Sequence, residues 1–268
     1  MKYKIIFLDI DGTLTNSQKV ITPKTKEALI SIQKKGVIVA IASGRPDKGV
    51  IPCAEELNLS EYGGYILPYN GGKIINYKTK EKVYQNNLTF DTVHEAYKLS
   101  KKYNVELITY DEDKILAETD NNKYLEIESR INKMDVLKVE SVPDSLKEAP
   151  VKCLLLGDGD YMGSIEPEIK ELIGHQANVF RSEPFFLEIM PKGIDKAASI
   201  RHLIEKLGIR REETMAFGDG YNDMSMLEYA GMGIAMSNGC DQTKAAADYI
   251  CDSNDNDGIA QAIDKMFS

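Results

Sequence analysis

The sequence predicts an α/β protein, with a doubly wound, Rossmann-like parallel sheet as its core and an inserted α+β domain. Two observations support this fold class. Near both ends of the chain, apolar β-rich runs alternate with helical patterns. Near-continuous apolar runs are typical of strands in a parallel sheet that helices cover on both faces. In the middle of the chain this alternation gives way to short strands joined by a tight turn, which indicates a separate module.

The N-terminal elements are defined by their end signals. The run "KIIFLDI" predicts a first buried strand. The segment "TPKTKEALISIQKKG" predicts a helix with Thr22 as its N-cap, Pro23 at its first position and Gly36 after its end. "VIVAIASGR" predicts a second buried strand, and "GYILPYNGGKII" a third, which is interrupted at Pro68 and at the Asn70-Gly71 turn.

The same alternation returns near the C-terminus. Helices are predicted over 195–207, 222–229 and 240–247, and a last helix ends at Phe267. Between them, "TMAFGD", "GIAM" and "DYIC" predict strands. These strands would join those of the N-terminal part in one sheet.

The segment from about Val83 to Glu188 has a different pattern. Its runs "VELITY" and "KILAE" are separated only by the acidic turn "DED", which predicts an antiparallel hairpin. Helical patterns over 91–103 and 124–133 flank the hairpin, and "VKCLLLGDGDYMGSIEPEIKELI" adds a strand and a helix. We therefore predict a core domain of residues 1–82 and 189–268 and an inserted domain of residues 83–188.

Charge and composition restrict the partners of the protein. A net charge of −9 over 268 residues disfavours nucleic acids and anionic membranes, which bind basic surfaces. No run approaches the ~20 apolar residues of a membrane helix, and the N-terminus lacks the pattern of a signal peptide. The four cysteines have no CxxC spacing, so free thiols in a reducing compartment are expected. The sequence thus predicts a cytoplasmic protein and leaves its oligomeric state open.

Polar residues follow three of the predicted buried strands. Asp9 and Asp11 end the first, Ser43-Gly44-Arg45 the second, and Asp219 a strand near the C-terminus, with Asp223 close behind. Ligands of open α/β sheets bind at the carboxyl ends of strands. Clustered carboxylates raise one another's pKa, and an oxygen-liganded cation such as Mg²⁺ resolves that conflict. Any single one of these aspartates could instead be a turn or N-cap residue.

Lys196 lies in the first turn of the predicted helix 195–207. At 100° per residue it falls in the apolar stripe that contains Ile200 and Leu203. A lysine in that position either extends past the helix end to solvent or meets an anionic partner. The predicted carboxylate cluster favours the second interpretation.

These residues resemble the motifs of the haloacid dehalogenase-like (HAD) superfamily of phosphotransferases. The motifs occur in order along the chain as "DIDGT" (9–13), Ser43 in "ASGR", Lys196 in "KGIDKAASI" and "GDGYND" (218–223). The inserted domain resembles the α/β cap of the Cof-type sugar-phosphatase branch. The resemblance extends over essentially the whole chain.

The resemblance implies a role for each motif residue. Asp9 would be the nucleophile and Asp11 the general acid/base, with a pKa that charged neighbours must raise. Mg²⁺ would be held by the side chains of Asp9 and Asp219 and by the backbone carbonyl of Asp11, with Asp223 and Asn222 in support. Ser43 and Lys196 would bind the transferring phosphoryl group. The further candidates for substrate binding are Thr13, Gly44, Arg45, Asn70, Gly71, Asn222, Arg181 and Glu183. Arg181 and Glu183 could equally be solvent-exposed loop residues.

The expected activity is Mg²⁺-dependent hydrolysis of a small phosphorylated metabolite. Hexose phosphates are the first candidates by resemblance, and pyridoxal phosphate and flavin precursors remain open. A hexose phosphomutase on the same scaffold is the nearest alternative, because phosphomannomutases share the "DxDGT" start and a similar cap. Such an enzyme would return the phosphoryl group to sugar instead of water. A non-catalytic phosphate-binding protein is a third interpretation.

Overall fold

The computed structural model describes residues 2–267, which divide into two compact units. The first consists of Met1–Tyr84 and Asp195–Ser268, and the second of Gln85–Ile194. The predicted boundaries at 82/83 and 188/189 differ by a few residues from this division. The strand Lys82–Gln85 continues the sheet of the first unit, and the strand Phe186–Pro191 pairs within the sheet of the second.

The elements are numbered along the described chain. The strands are β1 (Ile5–Leu8), β2 (Ile38–Ala42), β3 (Tyr65–Leu67), β4 (Lys73–Asn76), β5 (Lys82–Gln85), β6 (Glu106–Asp111), β7 (Lys114–Ala117), β8 (Asp135–Lys138), β9 (Cys153–Leu156), β10 (Ala177–Glu183), β11 (Phe186–Pro191), β12 (Thr214–Gly218), β13 (Gly233–Met236) and β14 (Tyr249–Cys251). The α-helices are α1 (Pro23–Lys34), α2 (Asp47–Glu56), α3 (Leu59–Tyr62), α4 (Phe90–Lys102), α5 (Lys123–Asn132), α6 (Gly159–Ile173), α7 (Lys196–Leu207), α8 (Met224–Tyr229), α9 (Asp241–Ala245) and α10 (Gly258–Phe267).

The sheet of the first unit has the strand order β14-β13-β12-β1-β2-β3-β4-β5. Adjacent strands from β14 to β3 run parallel. The predicted third strand, "GYILPYNGGKII", is instead two strands, because the turn after Pro68 reverses the chain and β4 runs antiparallel to β3.

Both faces of this sheet are covered by helices. In β1, Ile6 and Leu8 pack in one apolar cluster with α1 and α10, whereas Ile5 and Phe7 pack in a second cluster with α7. The whole strand is buried, so its side chains find apolar partners on either face. This arrangement confirms the predicted doubly wound fold, in which a continuous apolar run is a strand with no solvent face.

The second unit contains the sheet β10-β11-β9-β6-β7-β8. The predicted hairpin is confirmed, because β6 and β7 pair antiparallel and Glu112 in their turn has a φ of 51°. The sheet is mixed, since β7 and β8 run parallel. Helices α4 and α6 contribute to the apolar cluster against one of its faces.

The predicted N-cap of α1 is confirmed, and Asp195, predicted as the first residue of a helix, is the N-cap of α7. The Thr22 side chain accepts a hydrogen bond from Thr25 N, and the Asp195 side chain caps α7 in the same way through Ala198 N. The predicted helix 222–229 is shorter. Its first residues form the 3-10 turn Tyr221–Asp223, because the Asp223 carboxylate accepts hydrogen bonds from the backbone just before that turn.

Two expectations about the whole chain can be compared with residues 2–267. Within them, no cysteine forms a disulfide, and Cys53, Cys153 and Cys251 are buried. No helix in this range combines the length and apolar character needed to cross a membrane.

Candidate active site

The carboxyl ends of two neighbouring strands bring the first aspartates together. β1 and β12 pair in parallel with Leu8 opposite Phe217, and Asp9 N donates a hydrogen bond to Phe217 O at 3.1 Å. Since both strands end at the same edge of the sheet, Asp9 and Asp219 lie side by side. The next turn of chain after β12 adds Asp223.

Asp9, Asp219 and Asp223 form an acidic triad. Each has a carboxylate oxygen within 4.8 Å of the others, and Asp9 and Asp223 are buried. Burial, followed by the charge of Asp223, raises the pKa of Asp9 well above that of an ordinary aspartate. Burial likewise raises the pKa of Asp219 to about 6, with the charge of Asp223 contributing. These hard oxygen donors fit Mg²⁺, and a bound cation would offset the burial and the repulsion that raise both pKa values.

Lys196 is 1% exposed and lies against two members of the triad. Its Nζ donates to Asp9 Oδ1 and to Asp223 Oδ1, at 2.6 Å in each case. The lysine therefore meets an anionic partner instead of reaching solvent. Burial alone would lower the pKa of Lys196, but the charges of Asp223 and Asp9 outweigh burial and raise it, so the side chain stays cationic.

Asp223 also holds the backbone of its own loop. Its Oδ2 accepts hydrogen bonds from Asp219 N at 3.0 Å and Gly220 N at 2.9 Å, while Oδ1 faces Lys196. One carboxylate therefore fixes both the position of Asp219 and the ammonium group. This double role explains why a charged residue that is only 1% exposed is tolerated here.

The turn after Asp11 fits closely around Asp219. Gly12 has a φ of +82°, and a Cβ at this position would lie 2.3 Å from Asp219 Oδ2. The buried Thr13 donates through Oγ1 to Asp219 Oδ1 at 2.6 Å. The motif "DGT" thus has a packing reason for its glycine and a hydrogen-bonding reason for its threonine.

The Asp11 side chain is paired outside the triad. Arg45 donates to both of its oxygens, from Nε at 2.8 Å and from Nη2 at 2.7 Å, and Lys19 Nζ donates to Oδ1 at 2.8 Å. Burial alone would raise the pKa of Asp11, but the hydrogen bonds and charges of Arg45 and Lys19 outweigh it, and the pKa is lowered. The expectation that charged neighbours raise this pKa is therefore wrong for the structure described.

The second motif and the fourth meet beside the turn that follows β3. Asn70 N donates to Ser43 O at 2.8 Å, and Ser43 Oγ accepts from Arg45 N at 3.2 Å. Asn222 Nδ2 donates to Asn70 Oδ1 at 3.1 Å, and a Cβ on Gly44 would lie 3.4 Å from the Asn70 amide. These candidate residues therefore form one continuous group.

Arg181 and Glu183 belong to β10 of the second unit. Arg181 Nε donates to Glu166 Oε2 at 2.7 Å, and both Arg181 and Glu183 are exposed. The contact of Arg181 is a surface ion pair, and the structure adds no further support for a role of either residue in substrate binding.

Two residues near the site had not been singled out in the sequence. Lys19 contacts Asp11, and Asn238 Nδ2 donates to Gly12 O at 2.8 Å. An exposed lysine in a loop carries no distinguishing pattern. Asn238, however, follows β13 at its carboxyl end, so the rule that drew attention to Asp9 and Asp219 could have found it too.

Comparison with known proteins identifies the family. Residues 6–263 match the family described as haloacid dehalogenase-like hydrolase. The chain belongs to this family. The structure of this chain, referred to below as the hydrolase, is similar to the crystal structure of a haloacid dehalogenase-like hydrolase from Bacteroides thetaiotaomicron. The TM-score is 0.96 and the sequence identity is 45%, over 99% of this chain and 100% of the other.

Two further relatives have names that state an activity. The HAD subclass IIB sugar phosphatase BT4131 is 29% identical, with a TM-score of 0.82 over 98% of this chain and 99% of the other. A 5-amino-6-(5-phospho-D-ribitylamino)uracil phosphatase of Bacillus subtilis is 31% identical over 97% of this chain and 94% of its own length. The hydrolase is accordingly a phosphatase of the HAD superfamily, as the four motifs predicted.

Proposed function

We propose that the hydrolase is a Mg²⁺-dependent phosphatase that cleaves small phosphomonoesters through an aspartyl-phosphate on Asp9. The observation that carries the proposal is the buried contact of Asp9 with Lys196, next to the carboxylates of Asp219 and Asp223. A carboxylate nucleophile and a phosphate dianion repel each other. Lys196 supplies one positive charge that reduces this repulsion, and the three carboxylates could bind a metal cation that supplies more.

The acidic triad is the proposed metal site. Asp9, Asp219 and Asp223 would hold Mg²⁺, with the backbone carbonyl of Asp11 as an additional ligand. When bound, the ion supplies positive charge that offsets the charge on the phosphate oxygens.

The proposed reaction uses this chain's residues in two steps. An oxygen of Asp9 forms a bond to phosphorus while the ester bond to the leaving oxygen breaks, and Asp11 donates a proton to that oxygen. Asp11 then takes a proton from water, whose oxygen attacks the aspartyl-phosphate and releases inorganic phosphate and free Asp9. Lys196 and Ser43 would contact the phosphoryl group throughout. Arg45 and Lys19 occupy both Asp11 oxygens and lower its pKa, so these contacts must open before Asp11 can carry the proton that it donates.

The two named relatives support a substrate class. One is a sugar phosphatase, and the other acts on a phosphate carried by a ribityl chain. We therefore infer a phosphorylated sugar or polyol as substrate of the hydrolase, with hexose phosphates as the first candidates. Arg45, Asn70, Gly44, Thr13 and Asn222 are the proposed contacts in the first unit.

The test is phosphate release from a panel of sugar, polyol and cofactor phosphomonoesters, with Mg²⁺ and after EDTA treatment. We expect release only with Mg²⁺, and none from Asp9→Asn, which keeps the size of the side chain and the native circular dichroism spectrum. Asp91→Asn, at an exposed position in α4, is the matched control and should keep wild-type turnover. Activity retained in Asp9→Asn would contradict the mechanism. Conversion of hexose 1-phosphate to 6-phosphate without phosphate release would identify the mutase instead.

A further inference from the structure

The turn between β3 and β4 has an unusual backbone. Tyr69, Asn70 and Gly71 have φ values of 55°, 53° and 89°, so three successive residues lie in the left-handed region. Residues other than glycine rarely adopt this backbone conformation, and they keep it only where the surrounding structure stabilises it. We call Tyr69–Gly71 the left-handed turn.

The left-handed turn runs along the segment that carries Ser43. Tyr69 N donates to Arg45 O at 2.9 Å, and Asn70 N donates to Ser43 O at 2.8 Å. Just before the turn, Leu67 O accepts from Ser43 N at 3.0 Å. The backbone of Ser43 is thus bonded on both its polar groups to this stretch of chain.

The same turn lies against the helix that carries Lys196. A Cβ on Gly71 would lie 2.2 Å from Ser199 Cβ and 2.3 Å from its Oγ, so only glycine fits against this helix. Ser199 is buried, and its Oγ donates to Lys196 O at 2.8 Å. A side chain added at Gly71 would therefore displace the first turn of α7, which contains Lys196.

A third contact links the turn to the loop of the acidic triad. Asn222 Nδ2 donates to Asn70 Oδ1 at 3.1 Å, and Asn222 directly precedes Asp223. The left-handed turn thus touches three segments, which carry Ser43, Lys196 and Asp223. The Ser43 segment is distant in sequence from the other two, which also contact each other directly through the Lys196–Asp223 ion pair.

We propose that the left-handed turn is a positioning element for the active site, with Asn70 and Gly71 as positioning residues. Asn70 and Gly71 act through Ser43, Lys196 and Asn222, and set the spacing of these groups around Asp9. The proposal deepens the proposed phosphatase function and rests on it. It gives the unusual backbone a role, because a relaxed turn would no longer hold the Ser43 segment at its present distance from the segments of Lys196 and Asn222.

The first test compares Gly71→Ala with Gly36→Ala. Gly36 also has a φ of +89°, but a Cβ there meets nothing within 4 Å, so it reproduces the backbone strain without the contact. With p-nitrophenyl phosphate as substrate, we expect kcat to fall on the order of 10- to 100-fold in Gly71→Ala with KM changed little. Gly36→Ala should lose thermal stability while keeping the wild-type kcat. Equal kcat values in the two variants would overturn the proposal.

The second test remains informative if Gly71→Ala does not fold. Asn70→Gly keeps the left-handed backbone at no steric cost and removes only the amide that bonds Asn222. We expect a lower kcat on every substrate, including p-nitrophenyl phosphate, which offers no hydroxyl groups to bind. A raised KM limited to sugar phosphates, with kcat unchanged, would show that Asn70 acts only through its proposed contact with substrate and would contradict a positioning role.

A readout independent of activity separates this proposal from the proposed function. Amide hydrogen exchange in the peptide that spans the start of α7 should be faster in Gly71→Ala than in Gly36→Ala. If the wild-type protein releases no phosphate from any substrate, the proposed function fails, and this exchange comparison still decides whether the turn positions Lys196. Identical exchange in the two variants would count against the turn.

Discussion

At the scale of single residues, the site is organised around charges that compensate one another. Lys196 is buried between Asp9 and Asp223, and neither carboxylate would be stable there without it. Taking unpaired charges out of water costs several kcal/mol, so the three groups depend on each other energetically as well as chemically. At Asp11 the ratio is reversed, because one carboxylate is paired with two cations, Arg45 and Lys19.

Replacing Lys196 tests this dependence. Lys196→Met should abolish turnover and lower the free energy of unfolding by about 3 kcal/mol or more, since it leaves two buried carboxylates without a cation. Lys206→Met, in the same helix, removes an exposed ion pair with Glu81 and should cost less than about 1 kcal/mol. Urea unfolding in metal-free buffer measures both. Similar losses in the two variants would show that the buried contact is energetically unimportant.

Gly12 offers a second test at this scale. Gly12→Ala must move Asp219, because its Cβ would lie 2.3 Å from the carboxylate. We expect Mg²⁺ affinity to weaken on the order of tenfold or more, as measured by calorimetric titration. Gly63→Ala is the control, since Gly63 has a φ of +86° and a Cβ there meets only Lys78 Cδ at 4.0 Å. Unchanged affinity in Gly12→Ala would refute this account of the turn.

At the scale of elements, loops at the carboxyl edge of the sheet hold one another in place. Asn238, after β13, bonds Gly12 O and accepts from Asn254 N at 3.0 Å. Asn254 Nδ2 in turn donates to Thr15 O at 2.9 Å. The loop that precedes α10 therefore supports the loop that follows β1, although almost the whole chain separates them.

We predict that Asn254→Ala loosens this support. Loss of its amide should lower the free energy of unfolding by about 1 kcal/mol and reduce kcat by roughly several-fold, because the loop after β1 loses its hydrogen bond at Thr15 O. Asn256→Ala, in the same loop, removes only an exposed contact with Asp252 and should leave kcat unchanged. Steady-state kinetics and thermal unfolding of both variants decide the matter.

At the scale of the whole molecule, the acidic triad couples metal binding to folding. The unfolded chain lacks the triad, so Mg²⁺ binds the native state preferentially and stabilises it. At a hundred times the dissociation constant this amounts to about 2.7 kcal/mol. We expect Mg²⁺ to raise the unfolding temperature by roughly 5–10 °C.

The variant Asp219→Asn provides the control for this shift. It retains a side chain of the same size but loses one charged ligand, so most of the Mg²⁺-dependent rise should disappear, and EDTA should have no further effect. Differential scanning calorimetry with and without Mg²⁺ measures it. A rise of equal size in wild type and variant would place the stabilising ion elsewhere.

The fold class, the family and most residues of the candidate site could be predicted from the sequence. These depend on local information: the periodicity of apolar residues, the end signals of helices, and the polar residues that directly follow buried strands. Lys196 was found in the same way, because a charged residue in an apolar stripe stands out against its neighbours.

The contacts among these residues could not be predicted, because they form between distant parts of the chain. Asp9 meets Lys196 across 187 positions of sequence, Asp11 is paired with Arg45, and Gly71 lies against Ser199. The antiparallel course of β4 and the membership of β11 in the second sheet are also tertiary facts. No local sequence pattern encodes such contacts. They follow from the order of the strands in each sheet, because that order determines which strand ends are neighbours.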